Sequence, residues 1–378
     1  MTEATDNNKP ADAPTPPPPA PVETAPAGPA IHVAPSPHSF STSLTTRRMM
    51  IDVLLATVPL IGWAVFQFGW GAVLQLAVCV GGCVVAEAGF TAMRGRSPLR
   101  AITDISAVVT GVILALSLPC TAPWYVGFIG ACVAVGIGKV VFGGLGQNIF
   151  NPAMVGRAFV MICFAGAMAA GAYEVPMADP EDEPVDVISQ ATPMSVLKTR
   201  IKDRKEAAAE GSPVSQEDDE ESPVSIAWMY LGNVNGSIGE VSTLACLIGG
   251  LYLCWRRTAA WEIPLGVLLA SGAVTSLVHL LGGGAGLSML DFLGFHMFGG
   301  ALVFGAFYIA TDPVSSPITP KGRWAFGIGL GLFIMLFRMM STFPEGVMFA
   351  VLMMNAIVPL INRWTIPTPV GGPVPERK

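Results

Sequence analysis

Residues 71–92 read GAVLQLAVCVGGCVVAEAGFTA, and this run indicates the class of protein to which the chain belongs. Its only charged side chain is Glu87. A helix needs about 20 mostly apolar residues to cross a bilayer, whereas a surface helix of a soluble protein keeps one polar face. We therefore predict that this run crosses a membrane.

The composition of the whole chain agrees with a membrane location. Of its 378 residues 52% are hydrophobic and 13% are charged, with a mean hydropathy of +0.57. Soluble domains contain about 25% charged residues. No basic patch is interleaved with aromatic residues, which argues against nucleic-acid binding. The seven cysteines form no C-x-x-C pair, so we expect neither a metal site nor a disulfide framework.

Ten apolar segments are predicted to be transmembrane helices, five on each side of a long polar loop. They cover residues 50–67, 71–92, 104–118, 124–142, 154–172, 239–255, 261–281, 293–311, 324–341 and 345–362. The third segment ends at Pro119 and the eighth at Asp312-Pro313, so both are interrupted. Five passes per half impose inverted topology on any internal repeat, and paired interruptions are typical of an interior site.

We therefore expect an all-α polytopic membrane protein with two inverted five-helix halves, residues 46–172 and 239–364. Residues 1–45 are rich in proline and are predicted to be a disordered arm. Residues 173–238 form the long loop, and residues 365–378 form a tail.

Lysine and arginine fall on alternate connections, which predicts the orientation of the chain. One side receives Arg47, Arg48, Arg94, Arg96, Arg100, Lys139, Arg157, Arg256, Arg257, Lys321, Arg323, Arg363, Arg377 and Lys378. The short connections on the other side, residues 68–70, 119–123, 282–292 and 342–344, contain no lysine or arginine. Because positive charge stays inside, both termini are predicted to be cytoplasmic. The 173–238 loop then lies on the outer face.

The outer loop contains DVISQATP, residues 186–193, in which Thr192 is a candidate attachment point for a cofactor. A modifying enzyme needs a slim, accessible segment, and Pro193 favours an extended backbone at the preceding residue. The loop has no histidine to act as a base, which argues against hydrolytic chemistry at the threonine hydroxyl. The alternative is an ordinary polar loop.

Two connections between apolar segments are unusually polar: FGGLGQNIFNPA, residues 142–153, and TDPVSSP, residues 311–317. In the first, Asn148 and Asn151 are candidates to supply amide donors and acceptors to a planar, polar ligand. The alternatives are an inner-side loop for the first connection and a capped helix end with a turn for the second.

Ionisable residues are few inside the apolar segments, and each is a candidate for function. They are Glu87, Asp104, Glu240, His279, His296 and Arg338. Glu87 is the deepest carboxylate, and with Asp104 it is the candidate for an ion or proton path. For every one of them the alternative is a side chain that reaches the interface or makes an interhelical hydrogen bond.

Together these segments resemble the family that joins the D component of the Rnf ion-translocating electron-transport complex with the B component of the sodium-pumping NADH:quinone reductase. The resemblance extends from about Ser36 to Trp364, and the chain length and the proline-rich N-terminus favour the Rnf member. It includes Ser36-Pro37-His38, Thr46, Met50, Val53, Ala56, Pro59, residues 143–153, 186–193, 239–240, 244–250 and 312–317.

The resemblance implies FMN joined to Thr192 by a phosphoester bond. Ser189, Ala191 and the upstream Asp186 match the family's motif, whereas Gln190 stands where the family usually has glycine. The transferase that attaches the FMN must therefore accept a longer side chain at this position.

The resemblance also implies a second, non-covalent flavin, such as riboflavin, in the membrane domain, and we place it at Asn148 and Asn151. The implied partners are soluble subunits on the ferredoxin or NADH side, other membrane subunits and a flavin transferase. The resemblance further implies a subunit of a multi-subunit oxidoreductase in a bacterial inner membrane, and we expect this chain to have no catalytic side chain and not to be active alone. The expected function is electron relay within a complex that moves Na⁺ or H⁺, and the alternatives are a solute channel or transporter of inverted-repeat type and a scaffolding subunit.

Overall fold

The computed structural model of the chain is all-helical over the residues it describes, and no strand occurs in them. These are residues 45–98, 103–168, 193–210 and 226–367, with gaps at 233, 235, 241, 284–285 and 342–345. Thr192, Ser189 and Ala191 lie outside the described residues.

The first half contains five apolar helices and one short helix. They are α1 (Thr46–Phe68), α2 (Trp70–Met93), α3 (Ser106–Leu116), α4 (Trp124–Val135, continued by a π-helical turn over Gly136–Val140), α5 (Pro152–Cys163) and α6 (Ala165–Met168). The predicted fifth segment, 154–172, is interrupted at Phe164, where the backbone leaves the helical region with φ −127° and ψ 42°, and its residues 169–172 lie outside the described residues.

Two helices lie within the predicted outer loop, α7 (Pro193–Glu210) and α8 (Ile226–Leu231). A small apolar cluster attaches both helices to the second half of the chain. Its buried members are Met194, Leu197, Met229, Phe292 and Phe295. This part of the 173–238 loop is therefore folded onto the membrane domain.

The second half repeats the helix order of the first. It contains α9 (Thr243–Trp255), α10 (Glu262–Val278, continued by a π-helical turn over His279–Gly283), α11 (Met289–Phe298), α12 (Leu302–Phe304, continued by a π-helical turn over Gly305–Ile309), α13 (Pro320–Met340) and α14 (Val347–Thr365).

The two halves also repeat their packing. Helix α2 packs against α3 and α4 in the first half, as α10 packs against α11 and α13 in the second. Helix α4 packs against α5 as α13 packs against α14. The contacts α1–α9 and α5–α14 join the halves. This packing agrees with the predicted repeat of two five-helix halves.

Each of the ten predicted segments contains an apolar helix, but the helices differ in length. Five described helices are long and apolar enough to cross a membrane, and α11 with α12, bent by 53°, makes a sixth if the pair is one span. Four apolar helices are shorter: α3, α4 with its π turn, α5 and α9. The 11 residues of α3 extend only about 16 Å, roughly half of a bilayer core.

The interior end of α3 is closed by the segment that precedes α9. The N–H groups of Gly239 and Ile238 donate to the carbonyls of Leu116 and Leu118 at 2.6 and 3.0 Å. A Cβ atom on Gly239 would lie 2.8 Å from Leu116 Cβ, so glycine permits this approach. The predicted sixth helix, 239–255, therefore begins later, where the Ser242 hydroxyl accepts a hydrogen bond from the Ala245 N–H.

The break between α11 and α12 is closed by a side chain instead. Arg338 of α13 donates from its two terminal nitrogens to the carbonyls of His296 and Gly299, at 2.6 and 2.9 Å. Beyond α12, Asn151 Nδ2 donates to the Ile309 carbonyl at 3.3 Å. Backbone groups that would be costly in lipid are satisfied inside the protein.

Two basic residues assigned to the inner connections are in fact buried in helices, so that assignment is wrong for them. Lys139 lies in the π turn after α4 and pairs with Glu87. Arg157 lies within α5, where its Nη1 is 3.0 Å from Glu240 Oε1. Each forms an ion pair with a buried carboxylate, so neither residue is evidence for the orientation of the chain in the membrane. The predicted orientation depends on the other basic residues.

Candidate functional site

A cavity of about 760 Å³, counted to its mouth, lies between the two halves. Both polar connections singled out in the sequence line it, residues 142–153 and 311–317, together with α1, α3 and α9. Cofactor pockets are mostly apolar and contain a few polar groups. The lining has this character: Met50, Val53, Ile113 and Tyr308 beside Ser106, Lys139, Asn148 and Asp312.

The two asparagines predicted to bind a ligand have different surroundings. Asn148 Nδ2 donates to the Phe150 carbonyl at 3.1 Å, but its buried Oδ1 has no hydrogen-bond partner among the described residues. Asn151 Oδ1 accepts from the Met154 N–H at 3.3 Å and caps α5, while its Nδ2 bonds to Ile309. Asn148 therefore has an acceptor available to a ligand, whereas Asn151 holds the cavity wall together.

Asn355 of α14 joins the two polar connections and was not singled out in the sequence. With its amide oriented to satisfy both polar atoms, its oxygen accepts from the Asn151 N–H at 3.0 Å and its nitrogen donates to the Ser315 carbonyl at 3.3 Å. The sequence signal was present: Asn355 is a lone amide in an otherwise apolar run. Buried amides of this kind are costly unless they make such bonds.

Asp312 closes the turn that follows α12. Its Oδ2 accepts from the Ser315 hydroxyl at 2.8 Å and its Oδ1 from the Val314 N–H at 3.2 Å. Burial raises the pKa of this carboxyl above its ordinary value, and the hydrogen bonds oppose that shift. The capped-turn interpretation is confirmed, and the same turn forms part of the cavity wall.

Glu87 and Asp104, the two carboxylates predicted for an ion path, belong to one hydrogen-bonded chain. Glu87 accepts from the ammonium of Lys139, and both side chains are almost fully buried. Lys139 Nζ also donates to Ser106 Oγ at 2.5 Å, and Ser106 Oγ donates to Asp104 Oδ1 at 2.5 Å. Ile105, which lies between Asp104 and Ser106 in the sequence, has a left-handed backbone with φ 64°, which is unfavourable for a β-branched residue.

This row of hydrogen-bonded side chains lies between two spaces in the protein. Glu87 and Asp104 line a cleft of about 1,090 Å³, open at its mouth, together with Arg94, Arg96 and the glycines that follow Phe142. Lys139 and Ser106 line the cavity between the halves. The polar side chains thus form a continuous bridge from the open cleft to the interior cavity. Buried ionisable groups of membrane proteins often mark ion or proton paths.

The other ionisable residues of the apolar segments make interhelical contacts in two cases. Glu240 pairs with Arg157, and Arg338 binds the carbonyls at the break of α11 and α12. His279 Nε2 lies 3.1 Å from the Leu287 carbonyl. Within the described part of the chain, no three His, Cys, Asp or Glu side chains are placed to hold a metal ion.

Thr192 can be located only by its place in the chain. It directly precedes Pro193, the first residue of α7, and Met194 is buried in the cluster that attaches α7 to α11.

Comparisons with known proteins agree with this architecture. Residues 32–371 match the NQR2, RnfD, RnfE family. The D component of the ion-translocating oxidoreductase complex of Stutzerimonas stutzeri is 39% identical over 344 residues, which cover 86% of this chain and 92% of the relative.

Two further relatives are named for the ion that they move. The D component of the Na⁺-translocating ferredoxin:NAD⁺ oxidoreductase complex of Acetobacterium woodii is 38% identical and covered to 93%. The D component of the proton-translocating ferredoxin:NAD⁺ oxidoreductase complex of Clostridium ljungdahlii is 36% identical and covered to 96%. Because the match extends over nearly the whole of each protein, the resemblance found in the sequence is confirmed: this chain belongs to the NQR2, RnfD, RnfE family.

Proposed function

We propose that this chain is the flavin-bearing membrane subunit of an ion-translocating oxidoreductase complex in a bacterial cytoplasmic membrane. The observation that carries the proposal is the near full-length match to the D components of complexes named for that activity. The described chain offers no metal cluster of its own, and the sequence has no Fe–S cysteine pattern or nucleotide fingerprint. Electrons must therefore come from partner subunits, including soluble ones on the ferredoxin or NADH side.

FMN esterified to Thr192 is the first redox group of the proposal. It is supported by the match of Asp186, Ser189 and Ala191 to the family's motif and by the position of Thr192 before the first turn of α7. A phosphate on the residue that precedes α7 would lie next to the N-terminal end of that helix, which favours an anion. A tether of this kind keeps the flavin at the outer face, near the next carrier.

A second, non-covalent flavin fits the cavity between the halves. The cavity opens between the halves, and Asn148 Oδ1 in its wall is an acceptor with no hydrogen-bond partner among the described residues. A flavin ring offers an N–H donor that such an acceptor can bind, while Met50, Val53 and Tyr308 supply apolar contact. Bound there, the flavin would supply one- and two-electron transfer. In this proposal Asn148 orients the ring and Asn151 keeps the wall in place.

We further propose that Glu87 and Asp104 lie on the ion path. Lys139 and Ser106 connect them, and the four groups lie between the open cleft and the cavity. A charge that moves onto or off a group in the cavity changes the potential at Lys139. The affinity of the two carboxylates for a proton or cation can respond to it.

A solute channel or transporter is the alternative, because paired broken helices are also typical of such proteins. The two breaks are closed here by Gly239 and Arg338, which occupy the carbonyls that would otherwise face a solute. This arrangement favours the redox subunit over the channel.

The test is in-gel fluorescence of the chain produced together with a flavin transferase. Under ultraviolet light the denatured wild-type chain should give a fluorescent band, because an ester bond survives denaturation. Thr192→Ala should abolish the band, while Ser215→Ala, which removes a hydroxyl elsewhere in the predicted outer loop, should keep it. Mass spectrometry of the peptide that contains Thr192 should show an FMN-sized addition.

Absence of fluorescence from the denatured wild-type chain would refute the covalent flavin. Solute flux from the isolated chain in liposomes, unchanged by Thr192→Ala, would favour the channel instead.

A further inference from the structure

An apolar groove on the surface of the first half ends at an arginine. The groove lies between the end of α2 and the exposed side of α4 with its π turn, and it is open along one side. Its apolar wall includes Phe90 of α2 and Phe128, Cys132 and Ile137 of α4, and Arg94 lies at its end. None of these residues lines the cavity between the halves.

Small residues beneath the groove bring the two helices close together. A Cβ atom on Gly82 would lie 2.9 Å from Ala131 Cβ, and one on Gly136 would lie 2.8 Å from a ring carbon of Phe90. Because Gly136 has no side chain, the Phe90 ring packs against α4 and forms the floor of the groove. Ile137, on its rim, is 52% exposed. The groove is therefore suited to a hydrocarbon chain laid along α4.

The length of the groove indicates what can occupy it. From Phe128 to Val140, α4 and its π turn extend about 18 Å, at about 1.5 Å per residue. One leaflet is half of a hydrocarbon core of about 30 Å. A transmembrane helix of a partner subunit would need a contact surface through both leaflets, whereas an acyl chain needs one. The groove therefore fits a lipid chain in the leaflet on the Arg94 side.

Two arginines lie where the headgroup of such a lipid would be. Arg94 lines both the groove and the cleft that contains Glu87 and Asp104, and Arg96 lines the same cleft. Both arginines are exposed. A terminal nitrogen of Arg94 donates to the Val140 carbonyl at 2.9 Å. Because a guanidinium has five N–H donors, this bond leaves others for a phosphate.

The cleft also contains two carboxylates, so the balance of charge decides whether an anion is favoured at its mouth. Glu87 is buried and pairs with Lys139. Asp104 accepts a hydrogen bond from the Ser106 hydroxyl. Since Lys139 neutralises Glu87, the two exposed arginines outweigh the one remaining carboxylate. The mouth therefore has a net positive charge beside the end of an apolar groove.

We infer that the groove and the arginines at its end bind one anionic phospholipid, with an acyl chain along α4 and the phosphate at Arg94 and Arg96. This side of the protein is predicted to be cytoplasmic, and basic pockets between helices on that side of a membrane bind anionic headgroups. Arg94 also holds the end of the π turn that contains Lys139. A phosphate bound to Arg94 would therefore stabilise the turn that positions the Lys139–Glu87 pair.

Native mass spectrometry of the full chain, purified in detergent, measures the bound lipid. The chain is offered equal amounts of phosphatidylglycerol and phosphatidylcholine with the same acyl chains. Wild type should retain several-fold more phosphatidylglycerol, because its headgroup is anionic. The double variant Arg94→Gln/Arg96→Gln should lose this preference. Ile137→Trp, which fills the groove, should lower the binding of both lipids.

The matched control is Arg363→Gln, which removes an exposed arginine at the end of α14 that lines neither the groove nor the cleft. It should bind both lipids as wild type does. Circular dichroism checks that every variant keeps its helix content. Equal binding of the two lipids by wild type, or unchanged binding in both folded groove variants, would overturn the inference.

Cys132 provides a second measurement without any substitution, because it lies in the groove and is partly exposed. Phosphatidylglycerol should slow its alkylation by N-ethylmaleimide several-fold and leave that of Cys163, an exposed cysteine of α5, unchanged. Mass spectrometry of the peptides separates the two sites.

Two results of the alkylation experiment would contradict a bound phospholipid. Equal protection of Cys132 by inorganic phosphate would indicate an anion site without a lipid. Protection of Cys132 in an assembled complex stripped of lipid would assign the groove to a helix of a partner subunit.

Discussion

The two buried cations Lys139 and Arg338 lie near the ends of equivalent helices, α4 and α13, yet they make different contacts. Lys139 pairs with the carboxylate of Glu87 on α2 and continues through Ser106 to Asp104. Arg338 binds the carbonyls of His296 and Gly299 at the break between α11 and α12.

The difference shows that the repeated helix packing fixes where a cation is buried but not what it does. In the first half the cation joins two carboxylates into a bridge between a cleft and a cavity. In the second half it replaces a missing turn and anchors the wall of a cavity beside α7. A guanidinium suits the second role because its planar fork can bind two carbonyls at once.

Breaking the ion pair of the first half should have the largest effect on stability. Lys139→Met leaves Glu87 buried without its partner, and we expect the free energy of unfolding to fall by about 3–5 kcal/mol. The double variant Lys139→Met/Glu87→Gln should recover most of that loss, because no unpaired charge remains. Denaturant unfolding of the chain in detergent checks both values. Equal stability of the single and double variants would contradict the claim that Lys139 neutralises a buried Glu87 carboxylate.

Removing the cation of the second half should cost less. Arg338→Gln shortens the side chain and removes charged hydrogen bonds, each worth about 1.5–3 kcal/mol, while the open cavity lets water reach part of the break. The free energy of unfolding should therefore fall by about 1.5–3 kcal/mol. Arg363→Gln, at an exposed position in the last turn of α14, is the control and should change stability little. A loss as large as that of Lys139→Met would show that both cations act alike.

The break at α3 is closed by backbone, so a methyl group should be enough to disturb it. In Gly239→Ala the new Cβ would meet Leu116 Cβ at 2.8 Å, and overpacking of this kind costs about 1–3 kcal/mol. Gly236→Ala is the matched control, because its nearest neighbour would be Glu240 Cβ at 4.0 Å. Thermal unfolding followed by circular dichroism measures both. Equal transitions for the two variants would mean that Gly239 does not hold the end of α3.

Substitutions of the two cavity asparagines should have different effects, one on stability and the other on ligand binding. Asn151→Ala removes the cap of α5, and we expect the free energy of unfolding to fall by about 0.5–2 kcal/mol. Asn148→Ala should leave stability nearly unchanged and lower the amount of non-covalent flavin that copurifies. Acid extraction and quantification of that flavin, next to unfolding curves, distinguishes the two effects. Unchanged flavin content in Asn148→Ala would remove this residue from the proposed site.

Much of the candidate site could be found in the sequence. The polar connections 142–153 and 311–317 stood out because glycine, proline and amides are costly between apolar segments, and both line the cavity. Glu87 and Asp104 stood out as rare carboxylates. Their connection through Lys139 and Ser106 did not, because a lysine near a predicted helix end is ordinarily counted as a topology signal.

The apolar runs alone determined that this is an all-helical membrane protein with five helices on each side of a long loop, because hydrophobicity and segment length are local properties of the chain. Only the tertiary structure decided which polar groups meet. Gly239 closes the end of α3, and Asn151 closes the end of the π turn after α12. Residues so far apart in the chain carry no local signal of their contact, since its energy arises only when the helices pack and exclude water.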